Sequence, residues 1–96
     1  MASISTYIRE LMLTTDVSTS VNLLFRLRYD LSAITRIRSQ LSSEQKEVLK
    51  DSIIDQHVKI IIREKDENPN THHEEQNHIN EIKKSMVTIF GDEILK

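Results

Sequence analysis

Residues 48–62 read VLKDSIIDQHVKIII, and how that stretch is read decides the fold. It is the densest apolar run in the chain, carrying Val48, Leu49, Ile53, Ile54, Val58, Ile60, Ile61 and Ile62. Its end, Val58-Lys59-Ile60-Ile61-Ile62, is β-branched enough to suit a strand. The helical reading is preferred because a 3.6-residue pattern starts well before it and no turn residue intervenes. Drawn at ~100° per residue, Leu49, Ile53, Ile54, Val58, Ile60 and Ile61 fill an arc of roughly 180°. An ordinary surface helix needs a stripe only a little over ~100° wide. The helix is therefore expected to be covered from two sides. A second chain is the expected cover, with Ile54, His57, Val58 and Ile61 in the contact.

The composition agrees with a helical chain. There are 96 residues, 38% hydrophobic, 4% aromatic and 29% charged, with one Gly and one Pro. So few backbone breakers argue against a turn-rich all-β fold. One domain over 1–96 is expected, burying about 60–65% of its unfolded surface. With no cysteine, disulfides and thiolate metal sites are excluded. No apolar run approaches the ~18 residues of a membrane span. The first residues, MASISTYIRELML, lack the n-region and h-region of a signal peptide. An intracellular protein is expected, cytoplasmic rather than nuclear. The net charge of −2 hides an asymmetry. Residues 1–41 hold five Arg and no Lys against three acids, +2, while residues 42–96 hold eight basic against twelve acidic residues, −4. A mildly acidic whole does not favour nucleic acid, but a basic first half leaves it open.

Outward from the central stretch, Ser42-Ser43-Glu44-Gln45 reads as a capping box that starts the central helix. The preceding helix is expected over Val17–Leu41, with Leu23, Leu27, Ile34 and Leu41 in a stripe flanked by Leu31 and Ile37. So short a connection implies a hairpin or a steep corner. Val21, Phe25 and Tyr29 recur every four residues as a second apolar strip, able to receive the N-terminal arm or a partner. That arm, Ile4 to Leu13, is expected to break at Thr14-Thr15-Asp16, whose side chains compete for the backbone. Beyond Arg63, EKDENPNTHHEE reads as a loop, with 66–73 flexible. The last helix starts near Glu74 with Ile79, Ile82, Met86 and Ile89 inward, and Val87 and Phe90 beside them. Gly91 suits a left-handed cap, leaving 91–96 as a tail from which Ile94 and Leu95 fold back.

Two histidine constellations have plain explanations. A zinc-protease helix needs two His four residues apart, but the fourth residue after His73 is Asn77. Glu74 and His78 share a face, yet a solvated helix start explains them as well. His57 reads as a core or interface histidine. Arg38 is expected to snorkel or to pair with Glu47 or Asp51. No nucleophile elbow or phosphate loop is present, so no enzyme, cofactor or metal is expected.

The outer face of the second helix carries Arg28, Ser32, Arg36 and Ser39 at spacings of 4, 4 and 3. Guanidinium and hydroxyl groups along one ridge suit the phosphates and 2′-hydroxyls of duplex RNA. A solvated face, or a docking surface for an acidic partner, is the simpler account. In size, helical class and the Arg-bearing helix, the chain resembles the small helical dimers with which some RNA viruses bind double-stranded RNA and suppress silencing. The resemblance extends to no specific motif. The fold expected is all-α: three main helices and a short N-terminal helical arm, completed by dimerisation. The function expected is non-enzymatic: a regulatory or adaptor protein that binds partners, including its own copy, through helix-to-helix contacts. The alternative is a double-stranded-RNA-binding dimer using the Arg/Ser face.

Overall fold

Ser3 opens the first helix. Its hydroxyl accepts from the Thr6 amide at 3.3 Å, and its carbonyl from the amides of Thr6 and Tyr7. The computed structural model describes residues 3–17 and 21–96, all helix, turn and short connection, with no strand among them. The first helix, α1, spans Ile4–Val17 and buries Ile4, Ile8 and Leu11. The break expected at Thr14-Thr15-Asp16 does not occur. The Thr14 hydroxyl instead donates to the Glu10 carbonyl at 2.8 Å, a back-bond to the preceding turn that leaves the helix intact.

Helix α2 spans Val21–Arg36, shorter at both ends than the Val17–Leu41 expected, and residues 18–20 lie outside the described residues. It buries Leu24, Leu27, Leu31 and Ile34, while Leu23 is only partly covered. After Arg36 the backbone tightens into a 3₁₀ turn at Arg38–Gln40. Arg38 donates to the Thr35 carbonyl at 2.7 Å, satisfying an end-of-helix acceptor, and makes no ion pair with Glu47 or Asp51.

The central helix, α3, starts at the expected capping box. The Ser42 hydroxyl accepts from the Gln45 amide at 3.1 Å, and the Gln45 side chain accepts from the Ser42 amide at 2.9 Å. Gln45 also donates to Ser5 at 3.3 Å, tying the start of α3 to α1. The helix then runs without interruption through α-helical Ser43–Leu49, π-helical Lys50–Val58 and α-helical Lys59–Glu67. The Lys59 amide bonds the Ile54 carbonyl, five residues back. Val58–Ile62 is helix, not strand.

The π segment changes the geometry on which the two-sided cover rested. Bonding five residues back underwinds the helix to about 80° per residue, against about 100° in an α-helix. Along a straight α-helix, Leu49, Ile53, Ile54, Val58 and Ile62 would spread over about 220°. With Lys50–Val58 underwound they close to a stripe about 80° wide. All five are buried, while Ile60 turns outward at 49% exposure. The apolar face of α3 is thus narrow, and the chain's own helices cover it.

The segment after Arg63 is also more helical than expected. α3 continues to Glu67, and the loop is 68–72 rather than 66–73. The Thr71 hydroxyl donates to the Lys65 carbonyl at 2.7 Å, and the Asn70 amide to the Asn68 side chain at 2.9 Å. Helix α4, His73–Phe90, buries the expected Ile79, Ile82, Met86 and Ile89. Lys65 meets Glu75 at 2.8 Å and Lys83 meets Asp66 at 2.6 Å, clasping α3 to α4. The hydrogen bond from Lys83 holds the Asp66 carboxyl below its ordinary pKa.

Gly91 ends α4 at φ +92°, ψ 171°, an extended positive-φ conformation outside the left-handed helical well but open mainly to glycine. A 3₁₀ turn, Asp92–Leu95, follows. It buries Ile94 and leaves Leu95 exposed, so only the first of the two folds back. α2 lies chiefly against α1 and α4, and α3 chiefly against α1 with its π segment and α4 with its last turns. The α2–α3 connection therefore makes a corner rather than a hairpin. No helix among the described residues is long and apolar enough to cross a membrane.

Candidate protein-docking face

The outer face of α2 exposes two of the chain's large apolar side chains side by side, while Met12, Leu13, Val48, Ile60 and Leu95 are exposed elsewhere. At ~100° per residue, Phe25, Arg28, Tyr29, Ser32 and Arg36 lie within an arc of about 100°, in a row roughly 16 Å long. Phe25 is 60% exposed and Tyr29 50%. Only four residues of this chain are aromatic, two Phe and two Tyr, so half stand on this one strip. The other two, Tyr7 and Phe90, pack against the core. Val21 begins α2, but its side chain lies outside the described residues.

Helix α4 supports one edge of the strip. The His78 ring meets Phe25 edge-to-face, centroids 6.1 Å apart and planes at 88°. Its Nδ1 lies 3.3 Å from Arg28 Nη1. A guanidinium has no acceptor, so in this contact the imidazole nitrogen accepts. The other N–H groups of Arg28 have no partner among the described residues. Ser32 is half-buried, and Arg36 is exposed and unpaired among the described residues. Ser39 sits on the 3₁₀ turn beyond the helix end, so the expected four-residue ridge is a three-residue one.

Helix α1 supports the other edge through one arginine. Arg26 reaches Glu10 on α1 at 2.9 Å and Asp30 on its own helix at 3.1 Å. Its guanidinium carbon stands 5.8 Å from the centre of the Tyr29 ring, in cation–π range. Asp30 is fully buried, and its Oδ1 has no hydrogen-bond partner among the described residues. Burial raises the Asp30 pKa, Arg26 opposes that by charge and hydrogen bond, and Glu10 adds to it. The i,i+4 spacing of Arg26 and Asp30 is visible in the chain. The link to Glu10, and with it the burial of Asp30, is a tertiary fact.

The residues expected at a contact through α3 are placed differently. Ile54 and Val58 are fully buried in the chain's own core. His57 and Ile61 are half-buried, Ile61 against that core. The histidine cluster does not assemble. His78 turns to Phe25 and Arg28, His72, His73 and Glu74 are exposed, and no group of ligating side chains converges among the described residues. A groove of about 360 Å³ between α3, α4 and the tail is lined by Lys59, Arg63, Lys83 and Leu95 among others. Three cations around it already have acidic partners: Lys59 with Asp55, Lys83 with Asp66, and Lys96 with Glu93. It therefore offers an anion little unbalanced charge.

No protein-family model, curated protein or solved structure matches the chain.

Proposed function

We propose that this chain is a non-enzymatic helical binding module of regulatory or adaptor type, docking a partner protein on the outer face of α2. The observation that carries the reading is the exposed pair Phe25 and Tyr29, one turn apart on a rigid helix, each flanked by an arginine. Tyr and Arg are enriched among residues that dominate binding energy at interfaces. Burying the exposed halves of two aromatic rings supplies apolar area at the centre of such a site. Both rings are held by neighbours, Phe25 by His78 and Tyr29 by Arg26, so little rotamer freedom is lost on binding.

The module is proposed to need no cofactor and no metal. The motive for dimerisation through α3 is weaker, because Ile54 and Val58 are buried inside the chain and Ile61 packs against its core, with His57 half-buried. Self-association, where it occurs, is expected to involve other surfaces. Duplex RNA is the weaker occupant of the α2 face. Ser39 has left the ridge, and a phosphate backbone makes no use of the aromatic pair.

The test is purification from cells with and without nuclease, for the wild type and for a Phe25→Ser/Tyr29→Ser double variant. The expected result is a partner protein that survives nuclease and is lost from the variant, with circular dichroism unchanged. Co-purifying material that nuclease removes, or a partner retained by the variant, refutes the reading.

A further inference from the structure

We infer that the segment docking on α2 is a short acidic amphipathic helix, read by Arg28 and Arg36 through two carboxylates about two turns apart. The inference rests on the docking reading above and adds the chemistry of the partner.

The charge of the face is one-sided. Helix α2 carries Arg26, Arg28 and Arg36 against a single acid, Asp30, and that acid is fully buried on the opposite side. Arg26 is already occupied by Glu10 and Asp30. Arg36 is exposed with no partner among the described residues, and Arg28 gives one donor to a ring nitrogen at 3.3 Å. A guanidinium has five N–H donors and binds a carboxylate through two at once, about twice as strongly as a neutral acceptor. A partner carboxylate thus gains on Arg28 whether it joins His78 or displaces it.

Spacing then fixes the rest of the partner. Arg28 and Arg36 are eight residues apart, about 12 Å along the axis. Carboxylates seven or eight residues apart on a facing helix span the same distance. Phe25 and Tyr29 lie towards the Arg28 end, so the apolar anchors of the partner belong near one of its two acids. A second copy of this chain does not meet the requirement through the same face, since two α2 helices would set arginine against arginine with no exposed acid on either helix.

The probes are three four-turn helical peptides sharing one apolar stripe, with Glu, Gln or Lys at two flanking positions two turns apart, together with an RNA duplex. Anisotropy is read at low and at physiological salt. The Glu peptide is expected to bind about tenfold tighter than the Gln peptide, the gap between a charged and a neutral acceptor. That preference should shrink with salt, and Arg28→Gln or Arg36→Gln should each remove several-fold of it. Phe25→Ser should weaken the Glu and Gln peptides alike. Equal binding of these two, both lost in Phe25→Ser, overturns the carboxylate inference and leaves the docking reading standing. No peptide binding at millimolar concentration, or peptide binding indifferent to Phe25→Ser, overturns both. RNA binding that Arg36→Gln abolishes and Phe25→Ser does not also overturns both, and assigns the face to nucleic acid.

Discussion

A pair of substitutions on α3 separates the underwound helix from a straight one. Ile54 is fully buried, whereas Ile60 is 49% exposed. On a straight α-helix both fall inside the apolar arc, and both would be costly to change. Ile54→Ala deletes three carbons from the core, a transfer loss of roughly 2.4 kcal/mol at ~0.8 kcal/mol each. The cavity left behind brings the expected cost to about 3–4 kcal/mol. A chain of this size is stable by only about 5–14 kcal/mol, so a large fraction of the total is at stake. At about 4–8 °C per kcal/mol, the melting temperature should fall by at least ~12 °C. Ile60→Lys sits where an isoleucine gains little, and the lysine head stays in water while its stem covers the same surface. Its cost should stay within about 0.5 kcal/mol. Urea unfolding followed by circular dichroism reads both, with m unchanged if only stability has moved. A cost for Ile60→Lys as large as that for Ile54→Ala would instead put Ile60 in the core and the helix in a straight register.

Three further outcomes are expected. Because burial raises the Asp30 pKa above its unfolded value, ionised Asp30 is a burden that grows as pH rises through the folded pKa and is absent below the unfolded one. Asp30→Asn should therefore gain on wild type as pH rises, read by urea unfolding in steps from acid to neutral. The opposite trend would mean that attraction to Arg26 outweighs burial. Gly91→Ala should cost about 1–3 kcal/mol, since the φ of +92° is strained for any side chain although the space beside it is open. Chelator should leave the thermal melt unchanged, and a drop that zinc reverses would restore the histidine cluster as a site.

What the chain revealed in advance divides by the range of the forces involved. The inward set of α4 and the Ser42–Gln45 capping box follow from spacing alone, because neighbours three and four residues apart create them. The exposed aromatic strip on α2 was legible for the same reason. The phase of α3 was not, since projecting 48–62 at a fixed angle assumes the very bonding pattern that Lys50–Val58 departs from. Nor does a threonine pair announce whether it will break a helix. Thr14 closed its hydroxyl on Glu10 because packing of Ile8 and Leu11 kept the backbone helical. His78 and Arg28 are 50 residues apart, and nothing local links them.

The clasp between α3 and α4 has a consequence for how the chain assembles in time. Its ion pairs join residues only 10 and 17 positions apart, Lys65 to Glu75 and Asp66 to Lys83. Closing so short a loop carries a small entropic cost and takes well under a microsecond at the elementary step. Docking of α2 on α4, marked by the Arg28–His78 contact, must gather chain over 50 residues. The expectation is that the α3–α4 clasp forms in the rate-limiting transition state and the α2–α4 contact after it. Truncation of the buried side chain just before the clasp, Ile62→Val, should then slow folding, while Leu27→Ala in α2 should mainly speed unfolding. Chevron kinetics for the two variants decide it. The reverse assignment would make the long-range contact the nucleus.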